Sequence, residues 1–155
     1  QTLLPLAEKA GKELGIDPTL ILSQAALETG WGQHMIRKPN GENSFNLFGI
    51  KANHGWQGDV ASVKTLEYHN GVPKPQSANF RSYASYEESF NDYVGFIKGQ
   101  SRYQGALETA QPSGHYVREL QRAGYATDPN YANKILNIAE RHFNGADDSS
   151  RGDQG

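Results

Sequence analysis

The chain has 155 residues, 36% of them apolar, a formal net charge of -2 and no cysteine. That suffices for one domain with a single core, and it excludes disulfides, thiolate sites and the basic field that nucleic acid or an anionic membrane requires. No apolar run approaches the roughly 20 residues of a membrane span, and the opening Q-T-L-L-P-L lacks a signal peptide's basic region.

Leu3, Leu6, Ala7, Ala10 and Leu14 recur at helical spacing up to Gly15, and Asp17-Pro18 pairs an N-cap with a helix-starting proline. The second helix is therefore expected from about Pro18 to Thr29, with Gly30 as its stop. Residues 30 to 58 hold six glycines and no sustained period, which predicts a long functional loop with at most a short helical piece near Gln33 to Ile36. Val60 to Tyr68 favours a strand. Asn70-Gly71 is a strong turn signal, and a second extended run spans Asn79 to Tyr83, with Pro73 and Pro75 expected to shorten the pairing near the turn. Ser85-Tyr86-Glu87-Glu88 fits a capping box ahead of the buried stripe Phe90, Tyr93, Val94 and Ile97. A weaker helical piece is expected from Tyr103 to Thr109, then helices from Ser113 to Ala123 and from Asp128-Pro129 to Phe143. Residues 1–145 read as one domain and 146–155 as a small, polar, disordered tail. The chain is compatible with a domain of a longer protein.

Glu28 is an unusual charge. At about 100° per residue it lies about 20° from Ile21 and within about 60° of Ala25 and Gln24, so it shares the apolar side of its helix. Desolvation and the negative end of the helix dipole both raise a carboxyl pKa there, as a general acid near neutral pH needs. Gly30 and Gly32 bracket Trp31, so a sharp turn could lay an aromatic face beside the carboxylate. Position alone leaves open an ordinary helix-end glutamate paired with a lysine or arginine.

The segments A-L-E-T-G-W-G, N-S-F-N-L-F-G-I-K, T-L-E-Y and G-Y-A-T-D-P-N-Y-A-N-K-I occur in this order over nearly the whole chain. In this it resembles the catalytic domain of the FlgJ-type flagellar peptidoglycan hydrolases, part of a wider glucosaminidase family that includes many bacterial autolysins. The resemblance implies an α+β, mostly α, lysozyme-like helical domain with a small β-hairpin lobe. It also implies an endo-β-N-acetylglucosaminidase that cuts the β-1,4 bond after N-acetylglucosamine in peptidoglycan, opening the cell wall for flagellar rod assembly. Carried over, the general acid falls on Glu28 and a second functional glutamate on Glu67, which shares its strand face with Val63 and Thr65. Their separation would decide an inverting or retaining outcome, and substrate assistance by the 2-acetamido group is a third route. Tyr125 matches a tyrosine the family places near the catalytic glutamate, suited to steadying an oxazolinium ion.

Trp31, Asn46 and Phe48 offer the aromatic platforms and amides that sugars want, with Trp56 as a weaker candidate. Tyr131 is carried as a further substrate-binding candidate, although its place on the stripe of Ile135 and Ile138 reads better as a core tyrosine with its hydroxyl satisfied. The five histidines, His34, His54, His69, His115 and His142, show no zinc spacing, so neither metal nor cofactor is expected, and His69 reads as a surface residue beside the turn. The expected partner is the glycan strand of peptidoglycan, in the periplasm, with flagellar rod proteins reached only through a domain outside this sequence. The competing readings are a lytic transglycosylase or autolysin acting on the same polymer, and a non-catalytic glycan-binding module.

Overall fold

The computed structural model describes residues 3–53, 55–108, 112 and 114–144. His54, Thr109, Ser113 and the tail expected to be disordered lie outside them. Helix α1 (Leu4–Leu14) ends on Gly15 in the left-handed conformation, and α2 (Pro18–Thr29) starts at Asp17, whose carboxylate accepts from the Thr19 amide. Gly30, at φ +57°, closes α2 by sending its amide to the Ala26 carbonyl. Leu20, Ile21, Ser23, Gln24, Ala25 and Ala26 are all buried, so α2 is the central helix, packed between α1 and the last helix. Ser23 and Thr29 survive there by donating to the carbonyls of Thr19 and Ala25, one turn back.

Residues 30–34 form turns and not the short helix expected near Gln33. The loop then folds inward. Asn46 is its organiser, because its Nδ2 donates to the carbonyls of Ile50 and Arg81 while its Oδ1 accepts from the amides of Phe48 and Ile50. Phe48 is thereby pressed into the core, stacked on Tyr93 at 4.1 Å and edge-on to Phe90 at 5.2 Å.

Strands β1 (Val60–His69) and β2 (Val72–Arg81) form one antiparallel hairpin, turned at Asn70-Gly71 with φ of +55° and +81°. These angles give the two-residue turn that matches strand twist. The pairing runs unbroken past Pro73 and Pro75, contrary to the expected shortening. The two-residue turn makes His69↔Val72 a hydrogen-bonded pair, so Tyr68↔Pro73 and Leu66↔Pro75 fall on the alternate positions where no amide is required. Lys51 bridges to Phe80 and so docks the loop on the outer edge of β2.

Helix α3 (Tyr86–Lys98) is capped by Ser85, which accepts from the Glu88 amide, while Glu88 reaches back to the amide of Ala84. A 3-10 segment (Ser101–Leu107) stands where a weak helix was expected, followed by α4 (His115–Arg122) and α5 (Tyr131–Ala139). Asp128 does not cap α5 directly. It accepts from Asn130 and Tyr131 amides in a preceding turn, so the helix starts later than the Asp-Pro pair suggests. A π turn (Glu140–Asn144) follows α5. None of the described helices is long and apolar enough to cross a membrane.

Candidate active site

A cleft of about 250 Å³ opens between the C-terminal end of α2 and the inner face of the hairpin, with the turn before α5 along one side. Glu28, Gly49, Lys51, Glu67, Thr127 and Tyr131 are among its walls. Glu28 is half-buried there. Its pKa is pushed from 4.5 up to about 7, mainly by burial, against the hydrogen bond from Tyr131 and with some help from the negative charge of Glu67. The Tyr131 hydroxyl donates to Glu28 Oε2 at 2.8 Å. Burial, followed by the field of Glu28, holds that hydroxyl's own pKa well above the usual tyrosine value, so it remains a donor.

Glycine is required at position 49. Its φ of +64° disfavours a side chain, and a Cβ there would stand 2.7 Å from Glu28 Oε1. The loop backbone therefore lies against Oε1, while Tyr131 takes Oε2.

Across the cleft, residues 61, 63, 65 and 67 alternate inward along β1 while Ser62, Lys64 and Leu66 are exposed, and Glu67 ends up 13% exposed. Its Oε2 pairs with Lys51 Nζ at 2.9 Å, and its Oε1 accepts from Thr127 Oγ1 at 3.2 Å. The Tyr68 amide also donates to Thr127 Oγ1, at 2.9 Å. The hairpin is thus tied to the turn before α5, and both glutamates face one space without any closing motion.

Several expected contacts fall elsewhere. Asn46 and Phe48 are fully buried, both polar atoms of the Asn46 side chain are bonded to backbone of the loop and of β2, and neither residue is among the cleft walls. Trp31 is 53% exposed but packs on His142 and Phe143, away from the cleft walls, because its backbone at φ +61° turns it toward the C-terminal segment. Trp56 anchors its own loop by donating to the Asp59 carbonyl and by packing edge-on to Tyr83. His69 lies at the surface beside Gln76.

The two tyrosines exchange their expected places. Tyr125 stacks on Tyr131 at 5.9 Å, but its hydroxyl donates to the Phe48 carbonyl at 2.6 Å, whereas Tyr131 is the one that reaches Glu28. Lys51 and Thr127 sit inside the quoted motifs G-I-K and A-T-D-P, yet nothing in their spacing reveals that they converge on Glu67. Gln24 carries a readable signal, as a polar residue on the apolar side of α2.

A larger hollow, of about 650 Å³, is lined by Lys38, Phe45, Trp56, Tyr83 and others. Its acids Glu42, Asp59 and Glu88 are all exposed, so it lacks the desolvated carboxyl that acid catalysis needs. Among the described residues, no cluster of His, Asp and Glu could hold a metal ion.

Comparison with known proteins gives the family and the fold. The glucosaminidase family model, described as mannosyl-glycoprotein endo-beta-N-acetylglucosaminidase, matches residues 4–144. The chain is 54% identical over 136 residues to the peptidoglycan hydrolase FlgJ of Vibrio cholerae, covering 88% of this chain and 40% of that protein. It therefore spans less than half the length of that relative. Among solved structures, a peptidoglycan hydrolase mutant from Sphingomonas sp. A1 matches with a TM-score of 0.81 and 42% identity, over 87% of this chain and 86% of that one. A C-terminally truncated glycoside hydrolase domain of FlgJ from Salmonella typhimurium matches with a TM-score of 0.67 and 46% identity, over 88% and 89% of the two chains.

Proposed function

The chain belongs to the glucosaminidase family, and from that premise we propose that it is a peptidoglycan hydrolase cleaving the β-1,4 bond after N-acetylglucosamine, with Glu28 as the general acid. The observation that carries this reading is a carboxyl group that stays protonated to about pH 7, set opposite a second carboxylate in one cleft. A leaving sugar needs a proton on the glycosidic oxygen, and Glu28 holds one at the pH where it is useful.

Glu67 supplies the negative charge that an oxocarbenium-like centre requires. Both of its oxygens are engaged, by Lys51 and Thr127, which suits a fixed electrostatic partner better than a nucleophile. Tyr131, which contacts the acid, takes the tyrosine role first expected of Tyr125. Tyr125 supports it from behind by stacking and by holding the Phe48 carbonyl. The likeness to FlgJ proteins supports action on the periplasmic cell wall during flagellar rod assembly, with any rod contact made by a part of the protein outside this sequence.

Glu28→Gln is expected to abolish release of reducing ends from purified cell wall while circular dichroism stays unchanged. Retained activity would remove Glu28 from the reaction. Mass spectrometry of the products separates hydrolysis from transglycosylation, since the latter leaves an anhydro sugar lighter by one water.

A further inference from the structure

A general acid works only if its proton sits on the oxygen that faces the substrate. Glu28 has two oxygens in unlike surroundings. Oε1 lies on the Gly49 side, 2.7 Å from where a Cβ at that residue would be, and Oε2 takes the Tyr131 hydroxyl.

Behind Tyr131 the contacts continue inward. Gln24 Nε2 donates to the Tyr131 oxygen at 2.8 Å, the Tyr93 hydroxyl donates to Gln24 Oε1 at 2.6 Å, and Tyr93 meets the Tyr116 hydroxyl at 2.5 Å. Gln24 and Tyr93 are fully buried, and Tyr116 is 2% exposed. We propose that Gln24 and Tyr93 are positioning residues, forming a one-way line of donors that keeps the Glu28 proton on Oε1, the oxygen on the Gly49 side of the cleft. The inference rests on Glu28 being the proton donor.

The direction of the line follows from counting protons. Each tyrosine has one to give, and an amide gives only from its nitrogen. Run toward Glu28, every hydroxyl proton is used: Tyr116 gives to Tyr93, Tyr93 to Gln24 and Tyr131 to Oε2, with one Gln24 N–H bridging to Tyr131. Run the other way, with the Gln24 amide turned over, Tyr131 would give its proton to Gln24, and the Glu28 proton would move to Oε2 to fill the gap. Tyr93 would then donate to Tyr116. The Tyr116 proton would be left without an acceptor, because Tyr93 is the hydroxyl's only hydrogen-bond partner among the described residues. A buried donor without a partner is costly, so the blind end of the line at Tyr116 sets its polarity.

Removing Gln24 or Tyr93 removes that polarity without touching the cleft, since neither lines it. Glu28 then spends part of its time protonated on Oε2, facing Tyr131, where the proton does no work. The groups that face Glu28 otherwise remain: Tyr131 from α5, Glu67 from β1 with its Lys51 partner, and Tyr125 and Asp128 from the turn before α5.

The test is the pH dependence of cell-wall hydrolysis by Gln24→Met and Tyr93→Phe beside Glu28→Gln. In both relay variants kcat is expected to fall about tenfold with KM little changed, and the alkaline limb of kcat to move up by about half a pH unit, because Tyr131 becomes a weaker donor to the carboxylate. A structural role alone would lower the melting temperature and leave the limb where it was. Should Gln24→Met fail to fold, Tyr93→Phe retains the ring and carries the test. An inactive Glu28→Gln with unmoved limbs in the relay variants overturns the relay alone, whereas an active Glu28→Gln overturns both the relay and the role of Glu28.

Discussion

Glu28 binds its proton more tightly in the folded chain, at about 7 against 4.5, because burial outweighs the Tyr131 hydrogen bond. Below pH 4.5 the side chain is neutral in both folded and unfolded chains, and folding carries no penalty. As the pH rises through 4.5 the unfolded chain ionises first, so stability is lost progressively up to about pH 7 and stays lost above it. Allowing for its partial exposure, that loss is about 2 kcal/mol. Glu28→Gln should therefore be more stable than the parent by about this amount at pH 8, with the difference vanishing below pH 4.5. Urea denaturation at the two pH values measures it. A variant less stable at pH 8 would mean that the carboxylate is welcome in its site.

Helix α2 and the loop from Asn43 to Lys51 explain how much of the site was legible. The place of Glu28 on the Ile21 side follows from helical period, and alternation puts Glu67 on one face of β1 with Val63 and Thr65; apolar residues lie on both faces of that strand, so which one turns inward was not legible. The loop has no period, and its fold is set by side-chain hydrogen bonds between distant residues. Asn46 looked like a sugar ligand because a sugar and a backbone want the same amide groups. In the fold the backbone takes all of them. That Tyr131 and not Tyr125 contacts Glu28 has a similar reason: the hydroxyl that reaches Glu28 depends on how α5 lies against α2, which no local pattern encodes. Asn46→Ala is accordingly expected to behave as a structural lesion. It strips the loop of four hydrogen bonds and should cost about 3 kcal/mol or more, lowering the melting temperature and activity together. A raised KM with an unchanged melting temperature would instead make Asn46 a sugar ligand.

On the scale of the whole molecule, the site lies between a helical body and a two-stranded lobe that is too small to be stable alone. The lobe needs anchors. At its base, Ala61 and Phe80 are buried, Lys51 docks on β2, and Arg81 pairs with Asp92 of α3 at 2.8 Å. At the far end, Thr127 is the described tie, accepting from the Tyr68 amide and donating to Glu67. One hydroxyl thus ties down the hairpin and shares with Lys51 the orientation of the second carboxylate. Thr127→Val keeps the side-chain shape and removes both bonds. The expected result is faster hydrogen exchange at the amides of Glu67 to Val72 and of Lys74, unchanged exchange in α2 and α5, and a fall in kcat of about tenfold as Glu67 is left with Lys51 as its one fixed partner among the described residues. The melting temperature should barely move, because both bonds are exposed and the core is untouched. Unaltered exchange would show that the base anchors alone hold the hairpin, and a fall in kcat would then reflect only the lost Thr127 hydrogen bond to Glu67.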